Sequence, residues 1–264
     1  MLIIGERINS SRSAIAQAIE TRDANLIQNE AKVQQEAGAH YLDVNAGSML
    51  GRETECLAWL VETVQQATSL PLALDSPDPA VVKEIIPKTV QTPMINSITL
   101  DPERLEGLLP LVAENKAKVI ALCQSAELVP ETAETKVRIA EQLVEKATAW
   151  GVPLENLYID PLVFPLSTNP QSALATLESI ERIMALFPGV HTVCGLSNVS
   201  YGLPLRKLIN RSFLVACVCH GLDTAIVDPV DKQSYGALKA AAMIMGLDDY
   251  CMDFISAYRN ERME

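Results

Sequence analysis

Acidic and amide side chains recur immediately after short aliphatic segments of this 264-residue chain. Carboxylates and carboxamides at such positions can accept hydrogen bonds from a bound molecule or handle a proton during a reaction. The polar residues at these positions are Glu6, Arg7, Asn9, Asp43, Asn45, Asp75, Asn96, Asp160, Ser197, Asn198 and Asp228. If they meet in space, they form a polar ring that is rich in acceptors and poor in cations.

Such a ring would suit a flat heterocycle with several N–H donors better than it would suit a phosphate. A pterin is a heterocycle of this kind, because its amino-pyrimidine edge offers adjacent donors that match the two oxygens of a carboxylate. An asparagine can serve a neighbouring donor and acceptor together. The residue types alone leave a nucleobase or a sugar equally possible.

Each of these residues could instead cap the next helix or close a turn, as Asp and Asn often do after a strand. For Asp75, Asn96 and Asp160 that role is already filled, because an Asp-Pro or Asn-Pro pair follows each of them, and proline is favoured at the first position of a helix. The predicted capping residues are Asp78, Asp101 and Asn169. We therefore expect Asp75, Asn96 and Asp160 to face a common opening.

Eight short β-branched or aliphatic segments alternate with longer stretches of helical periodicity. The segments lie at 2–4, 40–44, 71–74, 94–95, 118–122, 157–159, 191–193 and 224–227. This alternation is the βαβ pattern of a parallel sheet, and eight units predict an α/β fold closed into a (β/α)8 TIM barrel. No linker or low-complexity stretch divides them, so the prediction is a single domain over residues 1–264. In such a barrel the C-terminal ends of the strands meet at one rim, which would gather the polar residues.

Composition narrows the partners and the cofactors. The formal net charge of −12 would repel nucleic acid and disfavour an anionic membrane surface. The first residues lack the basic region of a secretory signal, and no later segment approaches the ~18 apolar residues of a membrane span, so a cytoplasmic protein is expected. The six cysteines lack paired ligand spacing, and Cys217 and Cys219 fall on different sides of a predicted helix. No bound metal is expected.

Several motifs of this chain resemble those of the methyltetrahydrofolate:corrinoid protein methyltransferases, a family of pterin-binding TIM barrels. They are GERIN at 5–9, LDVNAG at 42–47, LALDS at 72–76, MINS at 94–97, YIDP at 158–161, GLSNVS at 195–200 and LINRSF at 208–213. The resemblance runs the whole length of the chain. It implies an enzyme that transfers a methyl group between a corrinoid protein, with cobalt as cobalt(I) or methylcobalt(III), and tetrahydrofolate or 5-methyltetrahydrofolate, in the one-carbon metabolism of an anaerobe.

The resemblance also implies roles for individual residues. It assigns pterin binding to Asp75, Asn96, Asp160, Gly195, Ser197, Asn198 and Arg206. Asn198 and Asp160 are the expected catalytic residues, with Asn198 hydrogen-bonded near the methyl-bearing ring nitrogen. The expected rim residues are Glu6, Asn9, Asp43 and Asn45. None of the three histidines stands in the Asp-x-His-x-x-Gly motif that ligates cobalt, so the corrinoid is expected to arrive on a partner protein.

Two alternative functions remain open at this point. A dihydropteroate synthase would need a basic cluster for a diphosphate and a late Arg-x-His pair, whereas no histidine follows the segment at 224–227. A folate-binding barrel without catalysis is separated from an enzyme only by an assay. The resemblance further implies a homodimer, to which the apolar stretch at 238–245 could contribute. The methyl group could come from the acetyl-CoA pathway or from a demethylase system, by O-demethylation of methyl ethers or by demethylation of amines.

Overall fold

The computed structural model describes residues 1–263 and contains a closed ring of eight parallel strands. The strands follow one another around the ring in sequence order, and the last strand pairs with the first. They are β1 (Leu2–Asn9), β2 (Tyr41–Asn45), β3 (Leu72–Asp75), β4 (Met94–Ile98), β5 (Lys118–Leu122), β6 (Leu157–Asp160), β7 (His191–Gly195) and β8 (Thr224–Val227). All eight predicted strands and the predicted (β/α)8 barrel are confirmed. Glu264, the last residue of the predicted domain, lies outside the described residues.

Helices surround the ring and connect successive strands. They are α1 (Ser13–Thr21), α2 (Ala24–Glu36), α3 (Glu53–Gln65), α4 (Pro79–Ile85), α5 (Pro102–Glu114), α6 (Ala133–Ala149), α7 (Ser172–Leu186), α8 (Arg206–Cys219), α9 (Lys232–Ile244) and α10 (Met252–Arg259). No helix within residues 1–263 combines the length and the apolar character needed to cross a membrane.

Two of the three predicted helix caps are confirmed. The Asp78 carboxylate accepts a hydrogen bond from the backbone N–H of Ala80 at 2.8 Å at the start of α4, and Asp101 caps α5 in the same way. The prediction for Asn169 was wrong, because α7 begins only at Ser172. Asn169 instead accepts a hydrogen bond from the backbone N–H of Gln171 and closes a turn before the helix.

The interior of the barrel is apolar toward the N-terminal ends of the strands, the lower side, and polar toward their C-terminal ends, the upper side. One buried side chain from each of the first seven strands fills the lower layer: Ile4, Tyr41, Ala73, Met94, Ile120, Tyr158 and Val193. Residues two positions apart in a strand share a face of the sheet. The next inward position toward the C-terminal rim is polar in most of these strands, where it holds Glu6, Asp43, Asp75, Asn96 and Asp160. The polar ring therefore stands on an apolar plug that closes the barrel from below.

Candidate functional site

A cavity of about 830 Å³ opens above the apolar plug, at the C-terminal rim of the barrel. Residues from β1, β2, β3, β4, β7 and β8 and from the start of α8 line it. Most of the predicted site residues are among them: Glu6, Asn9, Asp43, Asp75, Asn96, Gly195, Ser197, Asn198 and Arg206. Asn45 and Asp160 do not line the cavity and lie in the wall behind it.

Asp43, Asp75 and Asn96 form the floor of the cavity, and hydrogen bonds between neighbouring strands hold their side chains in place. The Asn96 side chain donates from Nδ2 to Asp43 Oδ1 at 3.0 Å, and Asn45 donates from Nδ2 to Asp75 Oδ2 at 3.0 Å. Asn45 is itself held by the Ser10 hydroxyl, which donates to Asn45 Oδ1 at 2.9 Å. Asn45 therefore supports Asp75 from behind. Within residues 1–263, Asp75 Oδ1 and Asn96 Oδ1 accept no hydrogen bond, so both oxygens are available to a ligand.

Burial makes the carboxyl groups of the floor hold their protons more tightly. It raises the pKa of Asp75 to about 6, against the opposing effects of the Asn45 hydrogen bond and the Arg104 charge. The pKa of Asp43 is raised well above its ordinary value, first by burial and then by repulsion from Asp75. The two neighbouring carboxyls thus favour a state in which one carries a proton, and the pair can both donate and accept.

Glu6 and Arg7 point to opposite faces of β1, because successive residues of a strand alternate between its faces. The register of β1 against β2 shifts between Gly5 and Ile8, and this bulge brings Asn9 rather than Ile8 to the cavity. Glu6 lines the cavity. The Arg7 guanidinium donates from Nε to Glu30 at 2.6 Å and from Nη1 to Asp228 at 2.9 Å. Arg7 therefore ties β1 to α2 and to the residue after β8, which is a structural role.

Ionisation of Glu6 should lower the stability of the fold at alkaline pH. Burial and the nearby Asp228 carboxylate raise the pKa of Glu6 to about 7 from 4.5. The folded chain then binds this proton more tightly than the unfolded chain, so the contribution to stability is present below about pH 4.5 and is lost as the pH rises through about 7.

Glu6→Gln, which cannot ionise, should therefore unfold a few degrees higher than the unsubstituted chain at about pH 8.5, with the difference shrinking towards pH 4.5. Calorimetric melting at both pH values measures this. A Tm difference that does not depend on pH would contradict the assignment of a titrating, buried Glu6.

The segment after β7 brings an amide to the edge of the cavity. A short 3-10 helix, Leu196–Ser200, places the exposed side chain of Asn198 there, and the amide of Asn198 makes no hydrogen bond to any residue of 1–263. A Cβ added at Gly195 would have Asn198 Nδ2 as its nearest neighbour, at 4.0 Å. Arg206, at the start of α8, donates to the Ser197 carbonyl at 2.8 Å and so holds this segment in place.

Asp160 lies in the wall between β6 and β7 and is only 7% exposed. Its Oδ1 accepts the backbone N–H of Leu162 at 2.8 Å and its Oδ2 accepts the backbone N–H of Gly195 at 3.3 Å. Burial raises the pKa of Asp160 to about 6 although both hydrogen bonds lower it. The carboxylate thus links the end of β6 to the glycine that lines the cavity.

Further polar residues line the cavity that the sequence interpretation did not single out for the site. They are Ser11, Arg12, Lys207, Asn210, Asp231 and Ser234. All stand in the loop after β1 or near the starts of α8 and α9, rather than at strand ends. The direction of the chain could have identified them, because each helix of a barrel begins at the same rim at which the strands end.

The described part of the chain contains no group of three His, Cys, Asp or Glu residues placed to hold a metal ion. Cys217 is buried and Cys219 is exposed, in agreement with their predicted positions on different sides of a helix.

Comparison with known proteins places the cavity in context. The model of a family described as pterin binding enzymes matches residues 5–228. A methylcorrinoid:tetrahydrofolate methyltransferase of Eubacterium limosum is 36% identical over 265 aligned residues, which cover 100% of this chain and 98% of that protein. A methionine synthase of Mycobacterium tuberculosis is 34% identical over 241 residues, which cover 86% of this chain but only 20% of that longer protein.

Solved structures agree on the fold. A dihydropteroate synthase of Coxiella burnetii in complex with pteroic acid superposes with a TM-score of 0.71 at 18% identity, covering 94% of each chain. One of Xanthomonas albilineans with 4-aminobenzoic acid gives a TM-score of 0.69 at 21% identity, covering 94% of this chain and 93% of the other.

Proposed function

The chain belongs to the pterin-binding enzymes and, within them, to the methyltetrahydrofolate:corrinoid protein methyltransferases, and we propose on this basis that it transfers a methyl group between tetrahydrofolate and a corrinoid protein. The activity is supported by 36% identity, over the whole length of this chain, to a methyltransferase that is named for this pair of substrates. The observation that carries the proposal is the position of Asn198 beside a cavity whose floor offers the free oxygens of Asp75 and Asn96.

The cavity offers hydrogen-bond acceptors that match the donors of a pterin ring. The donors of its amino-pyrimidine edge would meet Asp75 Oδ1 and Asn96 Oδ1, the oxygens left unpaired by the network of the floor. Asp43, held by Asn96, would supply a proton or an acceptor as the bound ring requires. The opposite edge of the ring would then lie towards the segment of Gly195, Ser197 and Asn198.

N5 of the folate is a poor leaving group, so the reaction requires that the negative charge developing on this nitrogen be stabilised. When the methyl group leaves N5 of the folate, the electron pair of the broken C–N bond stays on nitrogen, and N5 gains a proton. The cobalt(I) of the partner provides the electron pair of the new Co–C bond. A donor such as the Asn198 amide, placed at N5, would stabilise the charge that develops there. No nucleophilic side chain or resident metal of this chain is needed.

The charge of the cavity disfavours the alternative of a dihydropteroate synthase. A pterin diphosphate would meet the carboxylates of Glu6, Asp228 and Asp231 in the same cavity. Among the three cationic residues of the lining, Arg206 is already engaged by the Ser197 carbonyl. The similarity to dihydropteroate synthases at 17–21% identity supports the shared fold and no more.

Product analysis tests the proposal and separates it from a binding module. The protein mixed with methylcobalamin and tetrahydrofolate should yield 5-methyltetrahydrofolate, measured by mass spectrometry, whereas a mixture without protein should not. Incubation with a pterin diphosphate and 4-aminobenzoate should yield no dihydropteroate. Formation of dihydropteroate, or tetrahydrofolate binding without methyl transfer, would overturn the proposal.

We further propose that the methyl group passes from the corrinoid carrier to tetrahydrofolate, as the name of the Eubacterium limosum relative states for that protein. A demethylase acting on methyl ethers or methylated amines would then supply the carrier's methyl group. The cytoplasm is the proposed location, which the six unpaired cysteine thiols within residues 1–263 support. Residues 1–264 would act as one methyltransferase domain.

A homodimer is the proposed assembly, formed through exposed apolar side chains between α9 and α10. We call this surface the C-terminal patch, and its residues are Ile244, Met245, Leu247, Tyr250 and Met252. Of the predicted stretch at 238–245, only the end is available, since Leu238 and Ala241 are buried against the barrel.

Sedimentation velocity should therefore find a dimer for the unsubstituted chain, and Ile244→Asp with Tyr250→Asp should shift it to monomer because two charges would be buried at the interface. Val90→Asp, at a side chain 79% exposed elsewhere, is the matched control and should leave the dimer intact. A monomeric unsubstituted chain, or a dimer that survives both substitutions, would refute this assembly.

A further inference from the structure

Lys136 is a buried cation in the wall of the barrel, directly behind the candidate site. Its side chain is 0% exposed, although it lies on the face of α6 that otherwise packs apolar residues against the strands. Burying an ammonium group is costly unless polar groups replace its water. Here the replacements are backbone carbonyls: Nζ donates to Pro161 O at 2.7 Å and to Leu162 O, and lies 5.4 Å from the centre of the Phe164 ring.

Both carbonyls belong to the turn that follows Asp160. Leu162 has φ of 54°, in the left-handed region that a leucine rarely adopts without support from its surroundings. The backbone N–H of this same leucine donates to Asp160 Oδ1 at 2.8 Å. Lys136 therefore holds the residue that in turn holds the Asp160 carboxylate.

Lys136 also acts on Asp160 by its charge. The titratable groups that face Asp160 are the ammonium of Lys136 from α6 and the thiols of Cys123 and Cys194 from the ends of β5 and β7. Burial raises the pKa of Asp160, and the two backbone N–H groups and Lys136 oppose that rise. Burial lowers the pKa of Lys136, while the Asp160 carboxylate favours its charged form.

We propose that Lys136 is a positioning residue for folate binding: it fixes the 160–162 turn and places a cation near Asp160, so that the carboxylate holds Gly195 in the wall of the cavity. This inference rests on the proposed function, in which the pterin lies against the segment of Gly195, whose backbone N–H donates to Asp160 Oδ2. Loss of the ammonium would free the turn and let Asp160 take up a proton at a higher pH, and a neutral carboxyl would hold the backbone N–H of the cavity-lining Gly195 less tightly.

The test follows the affinity for 5-methyltetrahydrofolate as a function of pH, by calorimetry, in Lys136→Met and Lys136→Arg. In Lys136→Met the pH below which affinity falls should move upward by about one unit, and affinity at pH 5 should drop about tenfold. Lys136→Arg keeps the charge and should restore most of the affinity and the pH profile.

Lys118→Met is the matched control for the loss of a partly buried lysine. Lys118 begins β5 at the opposite end of the barrel, with its ammonium 5.4 Å from the Tyr158 ring. Its replacement should leave the pH profile of folate binding unchanged.

A Lys136→Met variant with a lower Tm but an unchanged pH profile would show a merely structural role and overturn the inference. If Lys136→Met does not fold, Lys136→Gln, which keeps a donor without the charge, gives the same comparison. Failure of the proposed function would give a different result, because the unsubstituted chain would then not bind 5-methyltetrahydrofolate at any pH.

Discussion

Asn198→Ala should slow methyl transfer by about 10²-fold while weakening folate binding much less, because a single preorganised hydrogen-bond donor is worth about this much in a transition state. The amide of Asn198 is exposed at the cavity edge and makes no hydrogen bond within residues 1–263, so no internal contact accounts for its position. Charge develops on N5 only as the C–N bond breaks. The donor should therefore matter more for the rate than for the ground-state complex.

Single-turnover kinetics measure the rate, and calorimetry measures the affinity for 5-methyltetrahydrofolate. Asn96→Ala should give the opposite pattern, with a large loss of affinity, because Asn96 is at the floor and would hold the ring in both states. Asn115→Ala, at an exposed asparagine that ends α5, is the matched control and should change neither quantity. An unchanged rate for Asn198→Ala would remove Asn198 from the mechanism.

Asp75→Asn should weaken 5-methyltetrahydrofolate binding by about 10²-fold, since it replaces one of the two carboxylate oxygens with an amide N–H₂. If the remaining oxygen keeps the hydrogen bond from Asn45, the N–H₂ faces the ligand and strands a buried donor of the ligand at a cost of ~1 to 3 kcal/mol. The substitution keeps the size of the side chain and removes a buried carboxyl whose pKa is raised to about 6. The variant should therefore fold with a Tm no lower than that of the unsubstituted chain above about pH 7.

The pH dependence gives this prediction a second readout. If the ring binds the ionised form of Asp75, a proton competes with the ligand, and affinity in the unsubstituted chain should fall as the pH drops through about 6. Asp75→Asn should lose this component of the fall. Asp78→Asn, the same substitution at the cap of α4, retains capping and should bind folate normally. Full folate affinity in Asp75→Asn would contradict the assigned floor of the site.

The sequence was sufficient for the barrel and for the position of most residues that line the cavity, because two simple periodicities determine both. Strand and helix segments alternate along the chain, and within a strand every second residue faces inward. The sequence therefore predicts that Asp43, Asp75 and Asn96 lie in one ring.

The features that the sequence interpretation missed depend on contacts between segments. The bulge in β1 that brings Asn9 rather than Ile8 to the cavity exists only against β2, and no residue of β1 alone indicates it. Asn45 ends β2 just as Asp75 ends β3, yet the Ser10 hydroxyl and Asp75 engage the side chain of Asn45 behind the cavity. Lys136 lies in α6 among buried apolar residues, and only the turn after β6 explains a charge there.

Methyl transfer is tested most directly by the cobalt absorption spectrum after cobalt(I) cobalamin and 5-methyltetrahydrofolate are mixed with the protein under anaerobic conditions. The cobalt(I) bands should disappear and those of methylcobalamin should grow only when the protein is present, with Asn198→Ala slower by about 10²-fold. Tight folate binding without any change in the cobalt spectrum would contradict it and would indicate a barrel that binds folate without catalysis.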